Sequence, residues 1–122
     1  MTAILIVEDD ADCRDVLVSL ANEEGYEAVA ARGAREALEI LKRPPLPRLI
    51  LLDLRMPGMS GADFLVEKSR APALRSIPTV VFSGDEPPDL ATEPFVSAGV
   101  VGRLMKPVQA PELIATLARH GR

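Results

Sequence analysis

Four short apolar runs punctuate the chain, at 3–7, 49–52, 79–82 and 100–105, the last interrupted by Gly102 and Arg103; a weaker one fits 28–31. Within them apolar residues are nearly continuous instead of alternating with polar ones, which predicts strands buried on both faces, as in a parallel sheet covered by helices. Between the runs the spacing turns helical: Cys13, Val16, Leu17, Leu20 and Ala21; Ala34, Ala37, Leu38 and Leu41; Phe64 and Leu65; Leu113, Ile114 and Leu117. Repeated alternation of strand and helix predicts an α/β domain with a doubly wound sheet, its right-handed crossovers placing helices on both faces. Pro and Gly mark the joints, as in Arg43-Pro44-Pro45-Leu46-Pro47 before the third strand and Met56-Pro57-Gly58-Met59-Ser60-Gly61 after it.

Composition narrows the picture. A length of 122 residues with 48% hydrophobic content is enough for one cored domain and too little for two, so residues 1–122 are read as a single domain in which site and core share one scaffold. Aromatics are only 3%, so the core must be built from Leu, Ile, Val and Ala. The net charge of −4 argues against direct nucleic-acid binding, which draws its affinity from Lys and Arg set against phosphates. Cys13 is the only cysteine, which excludes an internal disulfide and fits a reducing cytoplasm; on the apolar stripe of the first helix it reads as a small core residue. No apolar run approaches a membrane span, and acids already at position 8 do not suit a signal peptide, so a cytoplasmic protein without membrane insertion is expected.

The residues that end the runs carry the chemistry. In an open α/β sheet the binding crevice lies beyond the carboxyl ends of the strands. Here those ends read Glu8-Asp9-Asp10, Asp53, Ser83 and Lys106. Carboxylates gathered at one edge repel each other, and a hard divalent cation with oxygen ligands such as Mg²⁺ removes that repulsion. A carboxylate beside such a cation is a competent nucleophile toward phosphorus, with an ammonium and a hydroxyl to hold the phosphoryl oxygens. Asp10 reads more simply as the N-cap of the first helix. Lys106 is not this chain's default cation, since Arg supplies every other basic position except Lys42 and Lys68. His120, two residues from the end, reads as solvated and not as a ligand.

Ile4-Leu5-Ile6-Val7-Glu8-Asp9-Asp10, Leu51-Leu52-Asp53-Leu54-Arg55-Met56-Pro57-Gly58-Met59-Ser60-Gly61, Ser83-Gly84 and Lys106-Pro107 together resemble the receiver domain of two-component response regulators, in order and across essentially the whole chain. The resemblance implies a flavodoxin-like five-stranded parallel sheet of order 2-1-3-4-5. It implies Asp53 as phosphoacceptor, Asp9 as a direct Mg²⁺ ligand, Glu8 as a ligand through water, and the backbone carbonyl of Arg55 as a further ligand. Ser83 would bind the phosphoryl group and Lys106 would pair with it, before a cis peptide to Pro107. The partners implied are a histidine kinase or phosphotransfer protein and an unknown output protein. Catalysis would be confined to the domain's own phosphotransfer and autodephosphorylation.

Two features depart from the pattern. Arg103 stands where the family usually has an aromatic residue that swings inward, and an inward guanidinium would bury a charge, so it is expected to reach solvent or an acid on the fourth connection. Pro87, Pro88 and Pro94 occupy the region of the expected fourth helix. That helix is therefore expected to be short, with Thr92 or Glu93 as cap, Pro94 in its first position, Phe95 and Ala98 toward the sheet, and Gly99 at its end. Rival readings are a receiver-like interaction module that no longer cycles, a receiver excised from a larger regulator or hybrid kinase, and a metal-dependent phosphatase of another α/β family. The last expects a second acid two residues after the nucleophile, where this chain has Arg55.

Overall fold

In the computed structural model, which describes residues 3–84 and 88–121, the expected alternation becomes ten elements. They are β1 (Ala3–Val7), α1 (Ala11–Glu23), β2 (Glu27–Ala31), α2 (Ala34–Ile40), β3 (Leu49–Asp53), α3 (Gly61–Arg70), α4 (Pro72–Arg75), β4 (Thr79–Ser83), β5 (Val100–Met105) and α5 (Ala110–His120). The sheet is parallel throughout, in the order β2-β1-β3-β4-β5, so the doubly wound architecture and the strand order both hold.

The runs at 3–7, 49–52 and 79–82 have the cause inferred for them, whereas the run at 100–105 forms an edge strand with Leu104 alone buried. Successive side chains of a strand point to opposite faces. Leu5, Val7, Ile50 and Leu52 pack with Ala34, Ala37, Phe64 and Leu65 of α2 and α3, whereas Ile4, Ile6, Leu49 and Leu51 pack with Leu17, Ala21, Leu113 and Leu117 of α1 and α5. Val16, placed on the buried stripe of α1 by its spacing, is instead exposed. Two apolar layers thus clamp one sheet, and its central strands β1 and β3 are dry on both sides. The buried Tyr26 hydroxyl donates to the Leu117 carbonyl at 2.9 Å, tying the start of β2 to α5.

Edge strand β5 carries an irregularity. Thr79 pairs with Val100 but Val80 with Gly102, so Val101 is an extra residue in the ladder. This bulge resets the alternation and leaves Leu104 buried beside Phe82, with Arg103 and Met105 exposed.

The fourth connection corrects the expectation. Asp85, Glu86 and Pro87 lie outside the described residues, and from 89 to 99 the backbone makes turns without an α-helix. Val96 N–H donates to the Thr92 carbonyl and Ala98 N–H to the Pro94 carbonyl, two helix-like bonds. Between them the Ser97 amide goes to the Glu93 carboxylate at 3.1 Å instead of to the Glu93 carbonyl. Upstream, Asp89 captures the Ala91 amide with its side chain at 3.0 Å. Local side-chain bonds have outcompeted the helix. Phe95 and Ala98 nevertheless face the core as expected, and Gly99 turns the chain with φ +74°.

Candidate functional site

The chemistry-bearing residues converge because every strand runs in the same direction. Glu8 and Asp9 follow β1, Asp53 ends β3, Ser83 ends β4, and Lys106 follows β5. One carboxylate oxygen from each of Glu8, Asp9 and Asp53 lies within 4.8 Å of the others. Glu8 and Asp53 are buried, while Asp9 is exposed at the rim. Lys106 Nζ stands 2.7 Å from Glu8 Oε1 and 3.0 Å from Asp53 Oδ2. Its own backbone amide donates to the Ser83 carbonyl at 2.9 Å, which ties the ends of β4 and β5 together. The Lys106–Pro107 peptide is cis, as the resemblance implies.

Local chemistry fixes this arrangement. Asp10 caps α1, accepting from Cys13 N–H at 3.0 Å, which confirms its structural reading. The Arg55 amide donates to Asp53 Oδ1 at 3.1 Å and orients that carboxylate. The loop from Asp53 to α3 is closed by the Gly61 amide on the Leu54 carbonyl at 3.1 Å. A Cβ on Gly61 would lie 2.6 Å from both the Asp53 carbonyl oxygen and Leu54 Cα, so only glycine permits this approach. Ser60 and Asp63 then start α3 with a reciprocal capping box.

The electrostatics are those of a charge cluster in want of a cation. Burial and the neighbouring Asp53 raise the Glu8 pKa. Glu8 Oε1 is a buried oxygen without an aligned hydrogen bond, and its approach to Lys106 is a contact of charges. For Lys106 burial works against the ammonium, yet Glu8 and Asp53 outweigh it and raise the pKa. Three carboxylate oxygens gathered at one point fit a hard divalent ion better than a soft one.

One contributor escaped the sequence reading. Arg14 Nη1 donates to the Glu8 carbonyl at 3.0 Å, bracing the loop that carries two acids. A cation in the first turn of a helix runs against the macrodipole, and that was the available signal. Cys13 is half-buried with its thiol beside Glu8; desolvation and that carboxylate push its pKa up to about 12, so it is no ready nucleophile. His120 is half-buried, not solvated, and stands outside the one cluster of metal-binding type found among the described residues. Arg103 is exposed, its Nη1 reaching the Pro88 carbonyl at 3.4 Å, so it finds a backbone oxygen of the fourth connection in place of an acid.

An acid cluster and a lysine meet at the carboxyl edge of a 2-1-3-4-5 sheet, where open α/β domains bind their ligands. The chain belongs to the response regulator receiver domain family, which matches residues 4–118, and is a phosphorylation-dependent signalling switch. It is 32% identical over 120 residues to an uncharacterized 14.6 kDa protein of Leptolyngbya boryana, covering 96% of this chain and 88% of that one. It is 34% identical over 117 residues to the sensory/regulatory protein RpfC of Xanthomonas campestris, covering 94% of this chain but only 16% of RpfC. The chemotaxis protein CheY4 of Vibrio cholerae superposes with a TM-score of 0.87 at 27% identity, covering 98% of each chain. Among the described residues no helix is long and apolar enough to cross a membrane.

Proposed function

We propose that this receiver takes a phosphoryl group onto an Asp53 carboxylate oxygen and passes the change to an output protein through the surface made by 88–99, β5 and α5. The observation that carries the reading is the position of Asp53, buried at the end of β3 within reach of Glu8, Asp9 and Lys106. In the transfer, an Asp53 oxygen bonds to the phosphorus of a phosphohistidine on a histidine kinase or phosphotransfer protein, and the P–N bond breaks with its electron pair leaving on the imidazole. Lys106 exchanges part of its contact with Asp53 for a phosphoryl oxygen, and the Ser83 hydroxyl donates to another. Glu8, Asp9, Asp53 and the Arg55 carbonyl would hold Mg²⁺, which when bound offsets the negative charge collecting on the phosphoryl oxygens. Attack of water on the phosphorus later restores Asp53, so the chain's catalysis is confined to its own phosphorylation and dephosphorylation. Residues 1–122 are read as one receiver domain of the cytoplasm, acting alone or within a longer regulator, without direct nucleic-acid contact.

Incubation with acetyl phosphate and Mg²⁺ followed by intact-mass measurement tests the reading. The wild-type chain should gain one phosphoryl group, and Asp53→Asn should gain none. A phosphoryl group found on Ser60 or Ser83 would overturn the assignment, and an unmodified wild-type chain would favour the interaction module that does not cycle.

A further inference from the structure

The segment 88–99 enters β5 without a helix to satisfy its backbone. Ala98 at its inner end is fully buried, and Arg75 closes α4, where the last carbonyls have no helical partner. One side chain serves both. Lys68, in the last turn of α3, is itself fully buried, and its Nζ donates to the Arg75 carbonyl at 3.1 Å and to the Ala98 carbonyl. A lysine is almost never buried to this extent unless paired. No carboxylate pairs with Lys68 among the described residues. Glu67 and Arg70 pair with each other at the surface, the Arg75 side chain is exposed, Glu93 accepts from Ser97, and Asp89 accepts from Ala91. Desolvation alone lowers the Lys68 pKa to about 8. Gly99 completes the junction: with φ +74°, a Cβ there would stand 2.6 Å from the Arg75 carbonyl oxygen and 3.4 Å from Lys68 Nζ.

We propose that Lys68 is a positioning residue for the partner-facing segment: its Nζ, donated to the Arg75 and Ala98 carbonyls, clasps the inner end of 88–99 to the end of α3. The partner-facing role rests on the function proposed above, whereas the clasp stands on its own geometry. A buried ammonium is a poor source of net stability, because desolvation offsets most of what its contacts return. What it supplies here is a fixed attachment of the Ala98 carbonyl, and so of the entry to β5, to the last turn of α3. Loss of the clasp should therefore be read locally.

The experiment compares the unphosphorylated wild-type chain with Lys68→Met by amide hydrogen exchange. Exchange at Val96, Ala98, Gly99 and Val100 should quicken tenfold or more, while amides of β1 and β3 keep their protection. Unchanged exchange at 96–100, or an equal gain in β1 and β3, would overturn the proposal. If Lys68→Met does not fold, the wild-type chain still decides the matter. Carbonyl carbon shifts of Arg75 and Ala98, followed by NMR from pH 7 to 10, should move together with the Lys68 side chain; carbonyls blind to that titration would reject the clasp. A chain that loosens locally in Lys68→Met yet takes no phosphoryl group would keep the clasp and lose the switch, so the two failures are distinguishable.

Discussion

At the scale of single residues, the site is a problem of like charges close together, eased on one side by Lys106. Two buried carboxylates and a third at the rim leave net negative charge for a divalent cation to neutralise. Mg²⁺ at about a hundredfold excess over its dissociation constant should stabilise the folded chain by about 2.7 kcal/mol. Asp9→Asn should abolish most of that gain while leaving the fold unchanged in the absence of Mg²⁺; thermal melts with and without the ion check it, and an undiminished gain in the variant would remove Asp9 from the ligand set. Glu8, Asp9, Asp53, Ser83 and Lys106 were legible in the sequence because each stands within two residues of the end of an apolar run, and strand direction does the rest. Lys68 and Gly61 were not. Their reasons lie on other segments, in the Arg75 and Ala98 carbonyls for one and in the Asp53 and Leu54 backbone for the other.

Among the elements, the contact between the Asp53 loop and α3 is the tightest around the site. Gly61→Ala would press a methyl group into backbone atoms that have no rotamer to escape by, and such overpacking should destabilise by about 2–3 kcal/mol. Gly33→Ala is the control, since its φ of −176° is ordinary extended backbone and nothing lies within 4 Å of the added atom. Urea midpoints measure both; equal small shifts would show that the loop relaxes freely. Strands were the most legible elements, because burial on both faces writes a continuous apolar run in β1, β3 and β4, and the edge strand β5 keeps an apolar run although Leu104 alone is buried there. The runs at 3–7 and 100–105 keep their bounds as β1 and β5, and those at 49–52 and 79–82 extend by one residue, to Asp53 and Ser83. The four-residue α4 was invisible to periodicity, with Pro72 at its first turn as its one mark. The helix expected from Pro94 failed for a reason that lies in side-chain competition, with the Glu93 carboxylate taking the Ser97 amide, which no count of apolar positions registers.

For the molecule as a whole, two apolar layers share one sheet, and the α2/α3 layer holds its one fully buried lysine at its margin. Burial lowers the Lys68 pKa from an ordinary 10.5 to about 8, so between those values the unfolded chain binds more protons than the folded one. Stability attributable to this group therefore rises as pH climbs from about 8 to 10.5, by at most about 3 kcal/mol. Denaturation midpoints of wild type and Lys68→Met at pH 7 and pH 10 isolate it, since every other titration is common to both. The difference should shift in favour of wild type at the higher pH, and a constant difference would mean that Lys68 titrates normally. A last consequence follows from Arg103. It lies exposed on the edge strand, beside the exposed apolar side chains of Val101 and Met105 on β5, with Val96 exposed on the preceding segment. An aromatic ring in its place would be felt only on contact. A guanidinium is felt at a distance, through a field whose reach is about 8 Å at physiological ionic strength and about 3 Å in 1 M salt. A neutral residue in place of Arg103 should therefore change the salt dependence of whatever meets this edge more than the packing beneath it.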